Sequence, residues 1–307
     1  MITNRRARTA TAVALTALTL TACSGTEPKG DSAPNGDAAE IAGIIATTKV
    51  WADIASAVTG TEVDAIIEGD AVDPHHFEPT AMDLARVKKA GTVVANGGAY
   101  DASLYTVTDQ DKIIHAIPLL DAHDDHTHED HAHTDHLPDS LDELEHAWFA
   151  PEKVRQVASQ VKERVGGDDG AVDKRMREIE ASLASVQHVH VAMTEPIAAG
   201  LIWGTELHDI TPEEYVKASL NHQEPPASAV AAFIQQLEQR DVDMLFVNPQ
   251  SENSATQRLV DAAKANNIPI VEIRETPPAG QNFLDYLEAI VGQVADIAAH
   301  AEPKPHH

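Results

Sequence analysis

The chain has 307 residues, room for two domains of ordinary size, and 43% of them are hydrophobic, although aromatics are so scarce that Ala, Val, Ile and Leu must fill the cores. The formal net charge of −27 leaves no basic stripe to displace counterions from phosphates, which argues against nucleic-acid binding, while an acidic surface suits solubility and draws cations. One cysteine excludes an intrachain disulfide framework and a multi-thiolate zinc site; 17 histidines supply the commonest metal-ligating side chain.

Arg5, Arg6 and Arg8 form a basic head, and residues 10–22 carry no charge. Thirteen residues are too few to span a membrane but suit the apolar part of an export signal. Leu20-Thr21-Ala22-Cys23 resembles a bacterial lipobox, which implies cleavage after residue 22 and lipidation of Cys23. Cleavage there removes three Arg and no acid from −27, leaving −30. Residues 23–40 are small, polar and rich in Pro and Gly, and read as a flexible tether holding the protein at the outer face of the cell membrane.

Residues 41–50 form a β-rich apolar run, 51–59 a short helix, 63–67 a second strand and 68–79 a loop. Helical periodicity covers 80–90, and an apolar strand at 92–95 ends in the turn signal Asn96-Gly97-Gly98. A further strand is predicted at 112–119, an exposed loop at 121–140, a helix at 151–165 starting at Pro151, and an amphipathic helix at 172–186 joining two lobes. A second series follows: strand 189–193, helix 227–239, strand 243–247, helix 255–265, strand 268–273 and helix 282–300. Strands alternating with helices predict parallel α/β architecture. The expected organisation is an N-terminal lobe at 41–165, a connecting helix within 166–187, a C-terminal lobe at 188–300 and a tail at 301–307.

The segment Asp73-Pro74-His75-His76-Phe77-Glu78-Pro79-Thr80 lies just after a predicted strand. Parallel sheets place ligand sites at the carboxyl ends of their strands, so its histidines are well placed to bind; by spacing alone they could equally be surface residues. Asp-Pro-His-x-Phe-Glu-Pro, followed by a helix and a strand ending in Asn-Gly-Gly, resembles the solute-binding proteins of zinc and manganese ABC importers, over most of residues 41–300. That resemblance implies two Rossmann-like lobes with parallel sheets, a metal site in the cleft between them, and an ABC permease as partner of a monomeric binding protein. It implies His75 as the first ligand. Glu145-His146-Ala147-Trp148-Phe149 is similar to the family's His-x-Trp segment, which opens a helix and implies His146 as the second, 71 residues on. Glu195, just past strand 189–193, occupies the third position, where zinc members commonly carry His and many manganese members Glu. Glu275, in the loop beyond the last strand, occupies the fourth. Two neutral imidazoles and two carboxylates around a divalent cation give a formally neutral site, which limits the cost of closing lobes over the ion.

The metal is left between zinc and manganese, because oxygen ligands suit manganese and imidazole suits zinc. The segment 123–136 favours zinc: six of its 14 residues are histidine (His123, His126, His128, His131, His133, His136) and five are acidic. Such a loop resembles zinc-importing members and reads as low complexity with the capacity to collect zinc weakly. One departure from the family's pattern is the short 49-residue interval between His146 and Glu195. A metal-dependent hydrolase is the rival from another class, but the chain has no His-Glu-x-x-His and no Gly-x-Ser-x-Gly, so no enzyme is expected. A surface adhesin is a second rival, with no sequence feature that marks an adhesive surface.

Overall fold

The computed structural model describes residues 43–69, 77–120 and 137–302. The predicted signal, Cys23, the tether, His75, His76, the six histidines of 123–136 and the end of the tail lie outside the described residues.

The first half contains β1 (Ile44–Thr48), α1 (Lys49–Thr59), β2 (Asp64–Ile67), α2 (Ala81–Lys89), β3 (Thr92–Ala95), α3 (Ala102–Tyr105) and β4 (Ile113–His115). A hairpin of α4 (Pro151–Val165) and α5 (Gly170–Ala184) follows. The second half contains β5 (Val189–Met193), α6 (Ala199–Ile202), β6 (Leu207–Asp209), α7 (Glu213–Leu220), α8 (Ala227–Gln239), β7 (Met244–Val247), α9 (Ser254–Ala265), β8 (Ile270–Glu272) and α10 (Phe283–His300). The strands form two four-stranded parallel sheets with the same winding, β2-β1-β3-β4 and β6-β5-β7-β8. This is the two-lobed, parallel α/β architecture expected from the sequence.

Each sheet is covered on both faces, which is why β3, β5 and β7 are buried throughout, β7 reading as an unbroken apolar run and β3 and β5 as runs with one polar residue each, Thr92 and His190. Alternation divides their side chains. Ala46, Val94, Val191, Met193, Met244 and Phe246 point into a core shared by both lobes. Ile45, Val93 and Ile113 face a separate outer core with Val87 and Leu104, and Ala192, Leu245 and Val247 face another with Phe233 and Leu259. Helices α1, α4, α5 and α10 pack on one another in the shared core, and the C-terminal helix returns to the first lobe's α1. Asp53 of α1 ties that return: its buried carboxylate pairs with Lys49 and accepts from the backbone N–H of Phe283, 2.8 Å, at the first turn of α10. A carboxylate is well suited to a helix N-terminus.

Local signals account for several boundaries. Thr80 and Asp83 form a reciprocal capping box on α2, and Asn253 and Thr256 form one on α9. Pro151 opens α4. Gly167, at φ +106°, turns the α4–α5 hairpin against α1, where an added Cβ would sit 2.1 Å from the Val58 carbonyl oxygen.

Three local expectations needed correction, and one stretch had carried no prediction. The first strand stops at Thr48, so Lys49 and Val50 belong to α1. The strand predicted at 112–119 covers only Ile113–His115, because the N–H groups of Ala116 and Ile117 turn to the Asn96 carbonyl. His146 does not open a helix directly; it precedes the 3-10 turn Ala147–Phe149, and α4 begins at Pro151. The segment between residues 203 and 226 carries β6 and α7, which are short and too polar to show a clear period.

Candidate metal centre

The centre is built on the carboxyl ends of strands, where the backbone leaves the sheet and side chains converge. Glu195 follows β5, Asn248 follows β7 and Glu275 follows β8. The crevice between β5 and β7 is the point at which the winding of the second sheet reverses. The first lobe faces it with Tyr100, beyond β3, and the link toward the second lobe brings in His146.

Three of the four ligands expected from the sequence come together. His146 Nε2 lies 3.5 Å from Glu195 Oε1 and 4.0 Å from Glu275 Oε1. One donor atom from each of the three residues falls within 4.8 Å of the others. Tetrahedral ligation at about 2.0–2.2 Å separates neighbouring ligand atoms by roughly 3.3–3.6 Å, so small movements suffice for all three to reach one ion. The fourth expected ligand, His75, lies outside the described residues.

Burial makes this cluster unusual. His146 is 4% exposed and Glu275 1% exposed. A carboxylate taken out of water is costly unless it is paired or hydrogen-bonded, and the surrounding residues supply those bonds. Asn248, fully buried, donates its amide to Glu195 Oε2 at 2.9 Å and to Glu275 Oε1 at 3.1 Å. Ser251 Oγ donates to Glu195 Oε2 at 2.5 Å. Tyr100 donates its hydroxyl to Glu275 Oε2 at 2.8 Å. Burial, then the adjacent Glu275 charge, holds the Tyr100 phenol well above its ordinary range, so it stays a donor at neutral pH. Burial and the Glu195 charge likewise push Tyr215 up to about 12.

These bonds aim the candidate ligands. Asn248 and Ser251 both hold the Oε2 of Glu195, which leaves Oε1 turned toward His146. Although Glu195 precedes a 3-10 turn (Pro196–Ala198), its side chain makes no cap bond there. The N–H of Glu275 donates to Gln250 Oε1, 2.8 Å, fixing the loop after β8. The His146 ring is boxed edge-on by Trp148, with centroids 5.3 Å apart, and by Tyr100 at 5.9 Å.

The Asn96-Gly97-Gly98 turn places His146 from the other side. Asn96 Nδ2 donates to the carbonyl of Glu145, 2.8 Å, one residue before His146. The turn is held by buried Asp101, whose carboxylate accepts from Asn96 N–H, Gly97 N–H and the Thr47 hydroxyl. Burial outweighs those bonds and raises Asp101 to about 6. The centre opens into a cleft of about 620 Å³ whose walls include Glu145, Tyr215, His222 and Glu252.

The sequence profile described as zinc-uptake complex component A, periplasmic, matches residues 44–298. The chain belongs to that family. Its fold is similar to that of several solved structures at low identity. A ZnuA deletion mutant with zinc bound aligns at 17% identity over 85% of this chain and 98% of that one, TM-score 0.61. The periplasmic zinc-binding protein TroA from Treponema pallidum aligns at 17% identity over 85% and 99%, TM-score 0.57. The binding protein FpvC from Pseudomonas aeruginosa, solved with Mn2+, aligns at 16% identity over 84% and 98%, TM-score 0.58. No curated protein matches by sequence.

Asn248, Ser251, Gln250 and Tyr100 were not among the residues singled out from the sequence. Their one signal is position: Asn248-Pro249-Gln250-Ser251 directly follows the apolar strand 244–247, as Glu195 follows β5.

Proposed function

We propose that this protein captures a divalent transition metal, zinc in preference to manganese, outside the cell and delivers it to the ABC permease of an importer. The observation that carries this reading is the approach of His146, Glu195 and Glu275 at the reversal point of the second sheet, in a chain of the zinc-uptake family. His75 is the fourth ligand in this reading, from the loop after β2, and the residues at 41–165 and 188–300 are the two lobes that share the ion. The donor set is neutral overall once the ion is bound, and four protein ligands leave no open position for a reactive water, so the site holds its ion rather than doing chemistry on it. Zinc is favoured by the imidazoles and by the histidine-rich segment 123–136, which serves as a weak collector. Lipidated Cys23 and the tether at 23–40 keep a monomeric protein beside its permease.

Calorimetry on metal-free protein tests this. His75→Ala and His146→Ala should each weaken one stoichiometric zinc site by orders of magnitude. Deleting 121–136 should remove only weaker ions. Unchanged tight binding in both point variants would sink the ligand assignment, and retention of manganese in direct competition with zinc would overturn the choice of metal.

A further inference from the structure

The side-chain hydrogens around the two glutamates of the centre are unevenly shared. Asn248 directs one to Glu195 Oε2 at 2.9 Å and the other to Glu275 Oε1 at 3.1 Å. Ser251 gives its single hydroxyl hydrogen to Glu195 Oε2 at 2.5 Å, and Tyr100 gives its own to Glu275 Oε2 at 2.8 Å. An ionised carboxylate accepts through about four lone-pair positions, two on each oxygen. The bonds from Asn248 and Ser251 therefore fill Oε2 of Glu195. Its Oε1, 3.5 Å from His146 Nε2, is the oxygen in position to hold an ion. Glu275 is not filled in this way, since its bonds fall on different oxygens.

The filling is rigid. Asn248 Oδ1 accepts from the backbone N–H of Gln250 at 2.9 Å, which fixes the amide with Nδ2 toward the glutamates. Ser251 ends the 3-10 turn Pro249–Ser251 that starts there. Gln250, in the middle of the turn, anchors it to the loop after β8: its Oε1 accepts from Glu275 N–H at 2.8 Å, and its Nε2 donates to Thr276 Oγ1 at 3.1 Å. The turn grows out of β7, which is buried throughout.

The number of oxygens a carboxylate offers affects which ion it suits. Carboxylates ligate through one oxygen or both. Zinc is served by four donors, whereas manganese favours octahedral, oxygen-rich surroundings. We propose that Ser251, together with Asn248, sets the metal preference of the centre by holding Glu195 to one ligating oxygen. This keeps the donor count near what zinc needs and below what manganese needs. Ser251 itself touches no ion; it is a positioning residue that acts through Glu195. The inference rests on metal capture by His146, Glu195 and Glu275 as proposed above.

The test titrates full-length, metal-free protein with cobalt(II), zinc and manganese. Four-coordinate cobalt(II) absorbs visible light far more strongly than five- or six-coordinate cobalt(II), so its spectrum reports the donor number. The parent should give the intense spectrum. Ser251 lies on the cleft wall, and Ser251→Ala leaves Asn248 in place. That variant should lose much of the intensity and narrow the zinc-to-manganese affinity ratio about tenfold. Ser251→Thr keeps the hydroxyl and should restore both. A purely structural role would weaken all three ions alike and leave the shape of the spectrum unchanged. A parent that binds neither cobalt nor zinc, or binds them as tightly after His146→Ala, would refute metal capture by the centre and this inference with it. A parent that binds both but gives the weak spectrum would overturn the role of Ser251 alone. So would a Ser251→Ala variant that keeps the intense spectrum and a ratio within about twofold of the parent's.

Discussion

Asn248 is the most informative residue to change. Its side-chain amide contacts both glutamates of the centre, 2.9 and 3.1 Å away, yet is not itself a metal ligand in the proposed set. Asn248→Ala removes two bonds to charged groups, each worth about 1.5–3 kcal/mol. The two losses are unequal. Glu195 keeps Ser251 and has 14% of its side chain exposed, so water can replace the amide, whereas the Glu275 side chain is 0% exposed and keeps Tyr100 alone of the bonds described above. The metal-free protein should therefore lose about 3 kcal/mol, chiefly through Glu275. Outer partners of ligands typically govern 10–100-fold in metal affinity, or about 1.4–2.8 kcal/mol. Asn248→Asp separates shape from charge. A carboxylate about 3 Å from two others is repelled by roughly 5 kcal/mol from each at an effective dielectric of 20. Taking up a proton at pH 7 costs only about 4 kcal/mol. The new acid should bind a proton and donate to one glutamate only, leaving a loss that shrinks as pH falls toward 5. Chelator-competition calorimetry gives the affinities, and urea unfolding of metal-free protein gives the stabilities. Zinc affinity within twofold of the parent in Asn248→Ala, beside a stability loss of the expected size, would refute the claim that this amide aims the ligands.

Asp101 gives stability a pH dependence that does not involve metal. Its folded pKa of about 6 lies above the ordinary carboxyl value of 3.8, so its contribution is fully present below about 3.8 and is lost as pH rises through about 6, up to about 3 kcal/mol in all. In urea unfolding, Asp101→Asn should trail the parent by a margin that narrows from pH 4 to pH 7; a constant margin would contradict this. Gly97 has φ +93°, and an added Cβ would lie 2.1 Å from the Ile117 carbonyl oxygen. Gly97→Ala should cost at least about 2 kcal/mol in stability and also weaken metal binding, because the same turn holds Glu145. Asp53→Ala should lower the stability of metal-free protein by about 1–3 kcal/mol through the lost bond to Phe283 N–H, with Asp53→Asn milder; equal unfolding midpoints for all three proteins would exclude that role.

Much of the fold was legible because it rests on local chemistry. Strands 92–95 and 189–193 and helices 151–165 and 227–239 were placed from apolar runs, Pro151 and periodicity, and each matches its element end to end. Buried parallel strands have few alternatives once helices must cover both faces. The elements that escaped notice, β6 and α7, are short, and β6 is an exposed edge, so most of its stability comes from its neighbour β5 rather than from its own pattern.

The centre divides in the same way. His146, Glu195 and Glu275 could be named from the sequence because each follows a recognisable motif or strand end, and the structure brings those three together. The sequence could not indicate Asn248, which lies 53 and 27 residues from the two carboxylates it holds, or Ser251 and Tyr100, which lie 56 and 175 residues from theirs. Residue type and strand position decide which side chains can bind a metal. Their aim, and the amide and hydroxyls that let two carboxylates be buried side by side, arise only when distant segments pack.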